Sequence, residues 1–229
     1  MSTNLSGSTL TLNNTSLTKD TLALVTSYYY VPDNCTPGTT VVLDGVECLC
    51  VATGVTIQGS SLTRIAVDKN HDLGYYQKYV GRKMTNNATI SVIRYWRWGG
   101  YGYSVGNTSQ EVGYGLLNTI NCLANTSVYR NGSSTNNKTC PLMWKGVNDF
   151  RSAHSDKWFV PSINELVNYV SPYKSSLTFD TTTGGSSADY YWSSSEVDSN
   201  SSYLLRFAYG ASYTENKYNT NYVRLCRAF

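Results

Sequence analysis

Apolar and polar positions alternate with a period of two towards both ends of the chain and repeat with a helical period only in the middle. Residues 9–12 (TLTL) alternate, and residues 21–31 (TLALVTSYYYV) are rich in β-branched and aromatic side chains; both predict strands. Pro32, Asp33 and Asn34, then Pro37-Gly38, break the pattern. Residues 40–52 predict a hairpin, because VVL and VECLCV flank Asp44-Gly45, a pair that tolerates positive φ at both turn positions. Residues 62–67 predict a third strand of the same meander. Residues 68–87 are polar with Tyr75, Tyr76 and Tyr79, and read as a loop or a short irregular helix. Residues 90–98 (ISVIRYWRW) predict an aromatic strand leading into the glycine-rich loop 99–106.

Two stretches carry helical spacing. In residues 115–124 it is set by Leu116, Leu117, Ile120 and Leu123. In residues 162–170, Ser162 and Glu165 have capping-box spacing, Ile163, Leu166, Val167 and Val170 make one face, and Pro172 is expected to end the helix. Residues 125–138 and 178–187 are polar and predict loops. Strands first, helices in the middle and strands last argue against β-α-β units. The fold class expected is α+β, with mostly antiparallel strands, two main helices and long loops.

Residues 189–229 differ from the rest. Tyr191-Trp192 and Tyr222-Val223 are bulky enough for a core, but nearly every position between them is Tyr, Ser, Asn, Thr, Ala or Gly. That is the composition of an antibody paratope, in which Tyr supplies contact area and the small polar residues supply adaptable hydrogen bonds. Leu204, Leu205 and Phe207 predict a strand through this stretch. Alternation points Leu205 and Phe207 inward and Arg206 and Ala208 outward. The expected surface comprises Tyr190, Tyr203, Arg206, Ala208, Tyr209, Ala211, Tyr213, Tyr218 and Thr220 on one contiguous face. Trp192, Leu205, Phe207 and Val223 are expected beneath it. Beyond Gly210 the chain is expected to turn, so that strict alternation lapses.

YWSSSE at residues 191–196, followed by NYVRLCRAF at 221–229, resembles the variable region of diversity-generating retroelement variable proteins. GLLNT at 115–119 and DKWFVPSINEL at 156–166 resemble the openings of the two helices in the C-type lectin-like fold of the formylglycine-generating-enzyme-like branch. The resemblance covers roughly residues 38–229. It implies a C-type lectin-like domain with a variable region at about 189–221. In that family a reverse transcriptase miscopies adenines of a template repeat, and the copy replaces the 3′ end of the gene. Codons of the Asn type then yield Asn, Ser, Thr, Tyr, Asp, Ala and Gly.

The 229 residues accommodate one large domain, or a domain and an arm. Residues 1–35 lie outside the resemblance and are read as an N-terminal arm used in assembly or as extra strands; residues 36–229 form the ligand-binding domain. Charged residues make up only 14% and the net charge is +3, too small to imply nucleic acid or an anionic membrane. No apolar run of about 18 residues exists, so membrane insertion is not expected. The first residues lack the basic and apolar regions of a classical signal peptide. The six cysteines are Cys35, Cys48, Cys50, Cys122, Cys140 and Cys226. Cys48 and Cys50 share a strand face and read as buried free thiols, while Cys122 and Cys140 are a candidate pair closing a loop.

Candidate chemistry is sparse. The loop 99–106 (GGYGYSVG) lacks the Lys-Ser/Thr ending of a phosphate-binding loop. His71 and His154 have no Cys or His at metal-ligand spacing, so no metal and no cofactor are expected. The sugar-binding calcium motifs of classical lectins do not occur, and Cys226 has no near partner to form the reactive pair of the related enzymes. Glu165 reads as a capping residue and Glu196 as a structural hydrogen-bond acceptor. Tyr95, Trp96, Trp98, Tyr101 and Tyr103 read as core and as support for the C-terminal strand; stacking on bases or sugars is their alternative. The expected function is non-enzymatic binding of a protein or cell-surface ligand through the C-terminal face. The setting implied is a phage virion (tail) attaching to its host, or a bacterial cell surface, and homo-oligomeric display would add avidity. The rival is an undiversified structural or carbohydrate-binding surface domain.

Overall fold

Thr9–Leu12 (β1) and Thr15–Thr18 (β2) pair antiparallel, with Leu10 opposite Leu17. In the computed structural model the described residues are 9–12, 15–18, 35–76, 95–130, 141–179 and 190–229. The strand expected at residues 21–31 lies outside them. Thr40–Leu43 (β3) and Val46–Ala52 (β4) form the expected hairpin. Its turn residues Asp44 and Gly45 have φ of 51° and 80°, the left-handed values that this dipeptide accepts at little cost. Ile65–Asp68 (β5) is the third strand, beginning later than the pattern predicts. The polar stretch after it contains one turn of helix, Leu73–Tyr76 (α1). Trp96–Arg97 (β6) is the described part of the aromatic strand.

Gly115–Ala124 (α2) matches the expected helix. A Cβ on Gly115 would lie 2.1 Å from Glu165 Oε2 and 2.7 Å from the Phe159 ring, so only glycine lets the start of α2 approach so closely. Thr126–Tyr129 adds a short 3₁₀ turn. Met143–Ala153 (α3) is a third main helix, beyond the two expected. Trp158–Phe159 (β7) precedes Ile163–Glu165 (α4), whose capping box is present as expected. The chain does not stop at Pro172. It widens to a π-turn over Leu166–Val170 and continues as a 3₁₀ helix over Ser171–Ser176, with Pro172 in the first turn, where a missing N–H costs nothing.

Tyr190–Glu196 (β8), Ser201–Arg206 (β9), Ala211–Asn216 (β10), Thr220–Asn221 (β11) and Cys226–Ala228 (β12) complete the chain. One sheet runs β3-β4-β5-β12-β7 and a second β10-β9-β8, each with antiparallel neighbours. β11 pairs antiparallel with β6 in a separate two-stranded sheet, and just after β11 Tyr222 forms an isolated parallel bridge to Tyr191 of β8. The fold is therefore α+β with antiparallel sheets. The strands run between two apolar layers. Met143, Trp144, Val147 and Phe150 of α3 cover one side with Trp192, Leu204 and Val223; Ile163, Leu166 and Val170 cover the other with Tyr191, Leu205 and Phe207.

The cysteines correct one expectation. Cys50 is bonded to Cys35, not free, because the segment before β3 lies beside β4 and brings their Cα atoms within 5.8 Å. Cys48, Cys122 and Cys226 are buried free thiols, with burial pushing each well above the ordinary thiol range. The expected partner of Cys122, Cys140, lies outside the described residues.

Candidate functional site

Strands β8, β9 and β10 carry Tyr190 opposite Arg206 and Arg206 opposite Ala211; one step inward, Trp192 faces Leu204 and Leu204 faces Tyr213. Side chains two apart share a face, so all six lie on one side of the sheet. Trp192 and Leu204 are at most 2% exposed, while the row beyond them reaches solvent. There the Arg206 guanidinium sits 5.0 Å from the Tyr190 ring centroid and 4.3 Å from that of Tyr209. Tyr213 meets Tyr190 edge to face at 6.1 Å. Residues 207–210 make the turn. Phe207 goes to the buried side at 3% exposure, Gly210 takes φ of 63°, and Lys174 Nζ donates to the carbonyls of Phe207 and Ala208.

Among the nine expected surface positions, Ala208, Tyr209 and Tyr213 are exposed, with Tyr209 at 68% and Tyr213 at 42%. Tyr190, Tyr203, Arg206, Ala211, Tyr218 and Thr220 are half-buried. The four expected supports, Trp192, Leu205, Phe207 and Val223, are buried. The expectation of a single contiguous face is corrected. Tyr203 lies an odd number of residues from Arg206, so it projects from the opposite side, packs on the α4 layer and accepts from Gln110 Nε2 at 3.1 Å. Tyr218 stands apart from the Arg206 cluster against Tyr101, ring centroids 4.9 Å apart, and Thr220 pairs with Arg97.

The glycine-rich loop is tied beneath this surface. Trp98 Nε1 donates to Ser193 O at 2.8 Å and Trp192 Nε1 to Trp96 O at 2.7 Å. Glu196 accepts from the backbone N–H groups of Val105 and Gly106 and from the Ser104 hydroxyl, and pairs with Lys217. Lys217 also donates to the carbonyls of Tyr103 and Ser199 and lies 4.7 Å from the Trp98 ring centroid. Burial lowers its pKa, and Glu196 opposes that shift. Trp96 and Trp98 are core, as expected. Tyr103 is 43% exposed, with the Arg130 guanidinium 4.9 Å from its ring centroid, so the fixed loop adds an exposed aromatic ring of its own. Two further exposed positions, Ser212 and Thr214, lie outside the expected set. The signal for them was present: polar residues of both parities in ASYTEN mean a strand wet on both faces.

Several polar groups of the surrounding framework make structural bonds. Ser195 Oγ donates to Ser109 O and accepts from Ile163 N; Ser202 Oγ donates to Ser195 O. Glu165, 1% exposed, accepts from the N–H groups of Ser162 and Gly113. Burial outweighs those bonds and pushes its pKa up to about 7. Arg224 and Asp72 pair at 2.8 Å in the core, with Tyr191 Oη donating to Asp72. Among the described residues no group of three or more His, Cys, Asp or Glu is placed to hold a metal ion, and no helix is long and apolar enough to cross a membrane. No protein-family model and no curated protein matches the chain.

Proposed function

We propose that this chain is a non-enzymatic ligand-binding protein with a C-type lectin-like fold, whose C-terminal face is diversified by a retroelement. The observation that carries the reading is the division of labour along β8, β9 and the turn after them. Trp192, Leu204, Leu205 and Phe207 are buried, while the Tyr190, Arg206, Tyr209 and Tyr213 side chains meet one another at the solvent boundary. Buried positions fix the backbone, and the others can change without moving it, which is the logic of an antibody framework and its loops. Clustered exposed Tyr and Arg are the residues that dominate binding energy at protein interfaces. The ligand class is a protein or other cell-surface molecule, and the setting is host attachment by a phage tail or display on a bacterial surface.

The test has two arms. The DNA beside the gene should hold an imperfect repeat of its last hundred or so bases, differing mainly at adenines, next to a reverse-transcriptase frame. A library randomised at the nine positions Tyr190, Tyr203, Arg206, Ala208, Tyr209, Ala211, Tyr213, Tyr218 and Thr220 should remain mostly folded. A locus with neither repeat nor reverse transcriptase removes the retroelement, and a library that is mostly unfolded removes the variable face.

A further inference from the structure

The outer edge of β10 offers main-chain groups that pair with nothing among the described residues. Its inner edge is fixed by register. Lys217 N donates to Asn200 O at 2.9 Å, and the same register continues through Glu215–Ser202, Tyr213–Leu204 and Ala211–Arg206. In an antiparallel pair, bonded and non-bonded residue pairs alternate, so these are the bonded ones. Ser212, Thr214 and Asn216 therefore point their N–H and C=O groups away from β9. The Asn216 N–H is taken up by Glu215 Oε1 at 2.8 Å. Ser212 and Thr214 remain, both exposed, presenting two donors and two acceptors at a repeat of about 6.8 Å.

Edge strands are normally guarded by lysine, proline, a bulge or an inward charge. β10 (ASYTEN) has no Lys, Arg or Pro and no register shift against β9. Its one charge, Glu215, is turned back onto Asn216 and the Asn219 side-chain amide. The edge also adjoins Tyr213, which joins the tyrosine–arginine cluster through Tyr190.

We propose that this edge docks an extended peptide segment of the protein ligand, which adds to the sheet beside β10 and lays alternate side chains against Tyr213. The proposal rests on the reading of this face as a ligand-binding surface. The alternating donors and acceptors match an extended main chain, whatever its side chains. That gives a constant anchor under side chains that vary, which is how strand-addition domains divide affinity from specificity. A second copy of the chain is the poorer occupant. Two open residues give a short ladder, whereas a stable pair of folded copies buries on the order of 1,000 Å² or more.

The test is a display library of short, linear random peptides selected against the immobilised full chain. Enriched peptides are expected to slow hydrogen–deuterium exchange of the Ser212 and Thr214 amides at least about tenfold. Thr214→Pro, which deletes an outward N–H and leaves the ladder to β9 intact, should weaken them by about the same factor. If that variant fails to fold, the exchange measurement on the unaltered chain decides. Peptides that leave both amides exchanging at the unbound rate, yet lose affinity on Tyr209→Ala, overturn the edge and keep the binding face. An absence of enriched peptides, or protection that appears on raising protein concentration alone, also overturns it.

Discussion

Lys217 Nζ lies 2.5 Å from Glu196 Oε1, and neither side chain is more than 5% exposed. One partner is in β8 and the other follows β10, so the pair clasps the ends of the tyrosine-rich stretch while Glu196 also holds the loop of Ser104, Val105 and Gly106. Lysine so deep inside a tyrosine-rich stretch is a framework residue.

Lys217→Met should therefore destabilise the fold by about 3–5 kcal/mol, because it strands a buried carboxylate. Chemical denaturation measures the loss, and exchange at the Val105 and Gly106 amides should quicken. A change below about 1 kcal/mol would mean that the pair is peripheral.

Tyr209→Ala and Tyr213→Ala together should alter stability by roughly 1 kcal/mol or less, as exposed positions do. Phe207→Ala should cost about 3–5 kcal/mol by opening a hole under the turn. Thermal melts of the variants separate the two classes. Unfolding of the tyrosine pair would defeat the surface-display reading.

Glu165 gives a pH signature. Below its ordinary value of 4.5 it is protonated in both states and burial exacts no penalty. Between 4.5 and about 7 the unfolded chain loses that proton and the folded chain keeps it, so stability falls as pH rises and levels off above 7. The total drop is about 3 kcal/mol, at about 1.4 kcal/mol per pH unit. Denaturation at a series of pH values should show the slope in the native chain and a flatter one in Glu165→Gln. Equal slopes would show that Glu165 is ionised throughout.

The Cys35–Cys50 bridge closes a loop with a sequence separation of 15, which predicts about 3 kcal/mol of stabilisation by restriction of the unfolded chain. Cys35→Ser should lower the melting temperature accordingly. Cys48, Cys122 and Cys226 should stay unreactive to thiol reagents until the protein unfolds, since burial keeps them protonated.

Local pattern carried much of this fold. Asp44-Gly45, the Ser162–Glu165 capping box and the leucines of α2 each announced their element, because each is decided by residues within a few positions of one another. Helix α3 was harder to read. Met143, Trp144, Val147 and Phe150 have helical spacing, but Gly146, Asn148 and Asp149 are poor helix formers. Gly146 is explained only by packing: a Cβ there would lie 2.5 Å from the Trp96 ring. The Cys35–Cys50 pairing depends on which segments meet in space, so spacing could not select it. Tyr203 is different, since its odd separation from Arg206 was countable in the chain. Lys217 sat among Tyr, Asn and Thr, and nothing local marked it as buried.

Leu204 and Leu205 are adjacent residues that enter different apolar layers, one beside α3 and the other beside α4. Strand β9 is thus a party wall. Neither side can melt while the other keeps its shape, because the same backbone seals both. Heating the described fold should give one sharp transition rather than two, and a cavity cut on either side should shift the whole of it.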